Sequence, residues 1–456
     1  MPSALDLFLD RAPCCVLARL AIMHLFDRDR LDRLFEDAAD RQYQRELLFS
    51  DVLHLMLQVV FRTQQSINAA YRAAPELGVS HQAVYDKLRR LDDPVSEAIV
   101  ADSAAQVRAT INILDAALPE PVPGYRMRVV DGNLLSVTER RLKPLRSHWS
   151  RGLPGRVLAV YEPAADLVTH AFLERDGHAC ERSRWSDVLT LAQRGDLWVA
   201  DSHFCTHATI AGLRAAGANF LIRQHGAMIG ELLGKRRKCG RTDTGMVYEQ
   251  SLQMIGGNAG VVVRRLTLEL DQPTRGGDAA IHVLTDVPVT AATAVALVEA
   301  YRERWTIEGR FYEVAQTLNA EPRTLAYPAA ALFAFCLGLA ASNAAALMRA
   351  ALRSAHLDNQ DGVAAMSNHS MAEEIRRTYP GMMIAVPPEE WEAHRCVTPR
   401  ALATQLRKVA ARINPKRHRK SQRGPKKAPT KKRPFRNGHT LSTQRLLKRE
   451  NPKRAP

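Results

Sequence analysis

The chain has 456 residues, enough for two to four domains and at least one substantial core. Apolar residues make up 46% and charged residues 25%, which excludes a wholly disordered or fibrous chain. The formal net charge is +16, and nearly all of it falls in 416–456, where sixteen lysines and arginines face a single acid, Glu450. The basicity is therefore a tail suited to a polyanion, nucleic acid before anionic membrane.

From residue 1 to about 114 the apolar positions recur every three to four residues, which predicts helices. Within this stretch a helix is expected to end near Gly78. Ser80 then caps a second helix on which Ala83, Val84, Leu88 and Leu91 form the apolar face and Lys87, Arg89 and Arg90 point outward. Helix, short glycine turn and capped basic helix is the pattern of a DNA-reading helix-turn-helix, and an ordinary helical hairpin is the plainer reading. Three prolines in "LPEPVPG" (118–124) mark a linker.

Beyond the linker, "RMRVVDGNLLSV", "GRVLAVYEPA" and "DLVTHAFLE" predict three successive strands. A helix ending at Gly195, the strand "DLWVADSHF", a helix ending at Gly217 and the strand "NFLIRQH" follow, giving a mixed α/β sheet. Helical spacing is absent from 226 to 288, where the pattern predicts an inserted β-rich subdomain. One long helix, capped by Thr290 or Thr293, is expected to carry "YRERWTIEGRF". The apolar run 328–348 contains Ser342 and Asn343 and is expected to be a buried core helix rather than a membrane span. Helices are expected near 371–378, 388–395 and 399–413. The tail is expected to be disordered, because its prolines and glycines break helices and its like charges repel.

Seven cysteines, an odd number with no CxxC pair, give no sign of a disulfide framework or a zinc site and point to a reducing cytoplasm. The N-terminus carries acids where a secretory signal would carry lysines.

Three carboxylates stand out by position. Asp131 and Asp201 each follow an apolar strand, and Glu308 lies on the long helix, where Tyr301, Arg304 and Glu308 fall on one face. Each has a plainer reading: "DGN" is a common tight turn, Asp201 can cap a following helix, and a helical glutamate usually faces solvent. Brought together they would repel, and a divalent cation relieves that repulsion. Hard oxygen donors favour Mg²⁺ or Mn²⁺, and a pair of such ions can activate a nucleophile and stabilise the leaving oxygen of a phosphodiester.

The segments "VVDGNLLSVTERRLK", "GDLWVADSHFCT" and "YRERWTIEGRF" resemble the DDE transposases of bacterial insertion sequences, in the insertion-sequence-four-like class marked by a Tyr-Arg-Glu-Lys signature. The resemblance covers about 125 to 350. It implies a ribonuclease-H-like mixed sheet with an inserted β-rich subdomain, preceded by an α-helical domain and followed by helices and the basic tail. The corresponding bounds are 1–117, 125–225, 226–288, 289–354, 355–415 and 416–456. It further implies that Asp131, Asp201 and Glu308 are the catalytic, metal-binding triad, with Mg²⁺ as cofactor and Mn²⁺ as substitute. Tyr301 and Arg304 would contact the DNA backbone, and Trp305 would support a displaced base.

Terminal inverted repeats and target DNA are the implied partners. A homodimer would form in the DNA complex, no membrane would be involved, and the setting would be the bacterial cytoplasm, associated with the nucleoid. Lys87, Arg89 and Arg90 are the candidate end-reading cations, and Lys426, Lys427, Lys431, Lys432 and Arg433 the candidate sequence-independent ones. Three departures stand against the family pattern. Ala315 occupies the place of the signature lysine, with Arg310 and Arg323 as substitutes. Ser202, His203 and Phe204 follow Asp201 where Arg-Asn-Phe is usual. The inserted strands contain no Trp, leaving Tyr248. A catalytically decayed DNA-binding relative and a stand-alone metal-dependent nuclease on the same core are the alternatives.

Overall fold

The structure is a computed structural model describing residues 3–40, 42, 44–148, 150–257, 260–274, 276–395, 398–421 and 440–450. The five tail cations Lys426, Lys427, Lys431, Lys432 and Arg433 lie outside the described residues.

The N-terminal third is helical: α1 (Ala4–Arg11), α2 (Pro13–Leu25), α3 (Arg28–Ala38), α4 (Phe49–Val60), α5 (Ile67–Arg72), α6 (His81–Arg90) and α7 (Asp93–Leu114). Gly78 adopts a left-handed conformation, φ 63°, between α5 and α6, and the Ser80 side chain accepts the Ala83 N–H, capping α6.

The sheet-forming region follows in chain order. It comprises β1 (Arg126–Leu134), α8 (Lys143–Arg146), β2 (Gly152–Leu153), β3 (Arg156–Glu162), β4 (Leu167–Glu174), α9 (Trp185–Leu189), β5 (Asp196–Ala200), α10 (His207–Ala215) and β6 (Asn219–Arg223). Then come β7 (Gly230–Thr242), β8 (Gly245–Met254), β9 (Val262–Leu270), β10 (Ala280–Thr285), α11 (Ala294–Arg302), α12 (Trp305–Gln316) and α13 (Pro328–Ala355). Among the described residues nine of these strands form one sheet, ordered β4-β3-β1-β5-β6-β10-β9-β8-β7. β3 and β4 make an antiparallel meander with β1, whereas β5 and β6 run parallel to it. This mixed α/β architecture is consistent with the ribonuclease-H-like expectation.

Strands β7 to β9 do not stand apart from that sheet. β10 pairs antiparallel with β6, matching Val283 to Arg223, and so covers an edge that would otherwise expose unpaired backbone groups. The remaining strands extend outward from β10.

Two apolar layers sandwich the central strands. Val129, Val199 and Leu221 face one core together with α7, α11, α12 and α13; Val130, Trp198, Ala200 and Phe220 face the other with α9 and α10. Helix α13 is apolar enough by composition to cross a bilayer, yet 94% of its most apolar window is buried inside the protein. Its Asn343 Oδ1 accepts the Val168 N–H at 3.0 Å and its Nδ2 donates to the Val168 carbonyl at 2.9 Å, clamping the edge strand β4 as a neighbouring peptide would.

The chain ends with α14 (Gln360–Ala364), α15 (Asn368–Ala385), α16 (Pro388–Glu392), α17 (Pro399–Ala410), β11 (Leu441–Ser442) and α18 (Thr443–Glu450). The last two lie within the stretch expected to be disordered. β11 pairs parallel with β2, and Leu446 of α18 packs with Leu142 and Leu145, so apolar burial and a two-residue ladder hold this part of the tail.

The expected single long helix is two. α11 stops at Arg302 and α12 begins at Trp305, joined by a tightened turn in which Arg304 N–H bonds the Tyr301 carbonyl at 3.1 Å and Ile307 N–H bonds that of Arg304 at 3.2 Å. The expected helix up to Gly195 is likewise shorter, ending at Leu189.

Candidate active site

Adjacent parallel strands set two of the three acids level. Val129 of β1 pairs with Val199 of β5, so Asp131 and Asp201, each two residues further on, sit side by side on strands about 4.8 Å apart. Strand alternation turns both toward the layer that contains α12. β5 ends at Ala200, and the Asp201 carboxylate accepts the His203 N–H at 2.8 Å, opening a single 3₁₀ turn over Ser202–Phe204. β1 continues to Leu134, so "DGN" is strand rather than tight turn.

Glu308 is linked to Asp131 of this pair through Arg304. Arg304 Nη1 donates to Asp131 Oδ2 at 2.8 Å and Nη2 donates to Glu308 Oε1 at 2.8 Å. The guanidinium and the Asp131 side chain are both 11% exposed, whereas the Glu308 side chain is 53% exposed. Glu308 lies in the first turn of α12, where a carboxylate also meets the positive end of the helix dipole.

Burial pushes the Asp131 carboxyl up to about 7; Arg304 and the Gly132 N–H pull it down, and the charges of Asp201 and Glu308 push it up further. Both acids are thus close enough to act on Asp131 electrostatically. Three carboxylates supply hard oxygen donors of the kind a divalent cation takes, with Glu308 open to solvent, but their oxygens do not all lie within 4.8 Å of one another, and Arg304 stands between Asp131 and Glu308.

The other predicted contacts are placed as follows. Tyr301 is buried, and burial pushes its phenol up to about 12, with Arg304 and Arg223 opposing and Asp201 adding. It lies on α11 in the apolar layer beneath the site, buried rather than on an open face. Trp305 is 48% exposed at the start of α12, and Tyr312, seven residues on and on the same helix face, is 70% exposed.

Lys87 does not point outward. Its Nζ donates to the Leu47 carbonyl at 2.8 Å and lies 4.8 Å from the Phe35 ring centroid, and burial lowers its pKa. Arg89 pairs with Asp86 at 3.1 Å and stacks on Tyr327, while Arg90 is exposed. Of the substitutes for the signature lysine, Arg310 is engaged by buried Asp166 and by Glu313, and Arg323 is exposed.

Sequence reasoning missed Glu181. It opens a 3₁₀ turn over Glu181–Arg184, and its Oε2 lies 3.1 Å from His203 Nδ1. Its side chain occupies the space beside Gly132 so closely that a Cβ there would collide with the carboxylate. Gly132 therefore leaves room for a close approach rather than making a turn, and only the glycine after Asp131 hinted at it. Glu181 and His203 border a cleft of about 620 Å³ that also includes Arg156, Arg182, His207 and His225.

Asp131 within β1, Asp201 just after β5 and Glu308 on α12 thus bring two sheet carboxylates and a helix carboxylate to one side of a mixed sheet. Residues 123–344 match the family model of the transposase DDE domain, a span that begins just before β1, ends within α13 and contains Asp131, Asp201 and Glu308. That match supports a transposase function. No curated protein matches the chain.

Proposed function

We propose that the protein is the transposase of a bacterial insertion sequence of the Tyr-Arg-Glu-Lys class. It would bind the element's terminal inverted repeats and cleave and transfer DNA strands by a cut-and-paste route. The observation that carries this reading is the level placement of Asp131 and Asp201, with Glu308 tied to Asp131 through Arg304.

In this reading Asp131, Asp201 and Glu308 hold Mg²⁺, with Mn²⁺ as substitute; the bound metal lowers the pKa of the attacking water or hydroxyl and neutralises charge on the phosphate. Arg304 cancels the repulsion among the carboxylates and keeps α12 against β1, so the site is organised before DNA arrives. Release of one carboxylate frees half of its fork for a phosphate oxygen. Trp305 offers an exposed ring to a displaced base. The cleft beside Glu181 carries Arg156 and Arg182 and suits a DNA strand running past the carboxylates.

The exposed Arg90 at the end of α6 and the basic segment beyond residue 421 supply end-binding and sequence-independent contacts. The acting form is a homodimer on paired ends, working on target DNA in the cytoplasm in association with the nucleoid. Cleavage of a duplex bearing the borders of its own element, compared between wild type and Asp201→Asn, tests the reading.

A second reading, a relative that binds DNA without cutting it, is favoured by Ala315 at the signature lysine position and by the engagement of Arg310 elsewhere. Under that reading the wild-type protein binds the borders and leaves them intact in Mg²⁺ and Mn²⁺.

A further inference from the structure

Far from the carboxylates, three side chains from distant parts of the chain meet. Cys14 lies at the start of α2, Glu374 on α15, and His418 in the 3₁₀ turn Pro415–His418 that precedes the basic segment. Among the described residues this is the one group of three such side chains whose ligand atoms all lie within 4.8 Å of one another. Cys14 and His418 are buried, and the Glu374 side chain is 15% exposed.

Cys14 Sγ is 3.6 Å from His418 Nε2, and Glu374 Oε2 is 3.4 Å from the same nitrogen. One ring nitrogen cannot serve both as ordinary hydrogen-bond partners, and 3.4 Å is long for a bond to a carboxylate. Glu374 Oε1 is buried without a hydrogen-bond partner, which costs free energy unless something else satisfies it. Zinc–sulfur bonds of about 2.3 Å and zinc–nitrogen or –oxygen bonds of about 2.0–2.1 Å, set at tetrahedral angles, place S and N about 3.6 Å apart and N and O about 3.3–3.4 Å apart. The two separations here match that geometry. His418 Nδ1 lies 3.2 Å from Ser370 Oγ, the outer contact that fixes a ligating ring.

We propose that Cys14, Glu374 and His418 form a binding site for one zinc-type divalent cation, with a water or a further donor completing the coordination. The mixed sulfur, nitrogen and oxygen set selects such an ion over magnesium, which the all-carboxylate site prefers. Cys14 enters as thiolate, and its proton leaves to solvent on binding. The site would pin the root of the basic segment to the N-terminal helices. The backbone already holds this root to the turn before α15, since Ser367 N–H bonds the His418 carbonyl at 2.7 Å and Lys420 N–H bonds that of Ala365 at 2.8 Å.

The test is metal content of the full-length protein after zinc loading and exhaustive dialysis. About one zinc per chain is expected, lost in Cys14→Ser and His418→Gln and kept in Asp131→Asn. Wild-type protein loaded with Co²⁺ should also show thiolate-to-cobalt charge-transfer absorption, a readout that needs no variant to fold. A wild type that retains no zinc, retention undiminished in Cys14→Ser, or a cobalt spectrum without the thiolate band would each overturn the proposal. None of these results depends on DNA cleavage, so this site and the proposed function stand or fall separately.

Discussion

Arg304 donates to Asp131 Oδ2 and to Glu308 Oε1, each at 2.8 Å, and so joins a central strand to the first turn of the helix beside it. The pair with Asp131 is nearly dry, and removing one partner of such a pair leaves an uncompensated charge, a loss of about 3–5 kcal/mol. Arg304→Met should therefore destabilise the metal-free protein at pH 8 more than at pH 5.5, because a protonated Asp131 needs no counter-ion. Thermal denaturation at the two pH values checks this.

Asp131 also sets a pH slope in the opposite sense from most carboxylates. Its folded-state pKa, raised by burial to about 7 from 3.8, means that the native state holds a proton the unfolded chain has lost. Its contribution to stability is then undiminished below 3.8 and is lost as pH rises toward 7, a span worth on the order of 4 kcal/mol. Asp131→Asn should remove that slope in the metal-free protein. Added Mg²⁺ should raise the melting temperature of wild type more at pH 8 than at pH 6, since below 7 the cation competes with a proton.

Asp166 shows the usual sign. Burial pushes its carboxyl up, but Arg349 and Arg310 outweigh this and hold it below the normal range. It accepts from Tyr161 Oη at 2.8 Å and Arg349 Nε at 2.7 Å, and also pairs with Arg310 of α12. This knot fixes the Glu308 helix against the sheet and the core helix α13. Asp166→Ala should cost about 3–5 kcal/mol near neutral pH, measured by urea unfolding, and the difference from wild type should shrink below pH 3.8.

Gly132 separates a stability effect from a site effect. A Cβ there meets the end of the Glu181 side chain, which can move, so Gly132→Ala should cost only about 1 kcal/mol of stability, the low end for overpacking. It should nonetheless push Glu181 away from His203, and changed His203 ring chemical shifts by NMR with little change in melting temperature are the expected pattern.

Trp305→Ala should leave folding intact, since half of the side chain is already in solvent. If the ring stacks on a base, binding to a pre-nicked or frayed element end should weaken by about 1–3 kcal/mol, with little effect on an intact duplex. Fluorescence anisotropy on the two substrates separates these.

The sequence carried the sheet's strands through their apolar runs, and the two aspartates through their place after such runs. It did not carry what depends on tertiary contact. The level placement of Asp131 and Asp201 follows from a parallel register that no local pattern encodes. The break between α11 and α12 has no proline or glycine at the joint; it coincides with Arg304 turned inward to Asp131. Lys87 read as outward because its neighbours are basic, yet its ammonium turns in over the Phe35 ring and bonds the Leu47 carbonyl. Glu181 looked like one more polar loop residue until the strand carrying Gly132 closed on it. Cys14 and His418 meet across 404 positions, a spacing outside any metal-binding motif.

The central claim is that Asp131, Asp201 and Glu308 together make the cleavage site. The most direct measurement is single-turnover cleavage in Mg²⁺ of a duplex carrying the element's own borders, with binding followed on the same DNA. Glu308→Gln is predicted to cut on the order of 10³-fold more slowly, the rate equivalent of several kcal/mol of lost charge stabilisation, while binding the borders as wild type does. Cleavage by Glu308→Gln at the wild-type rate would contradict the account.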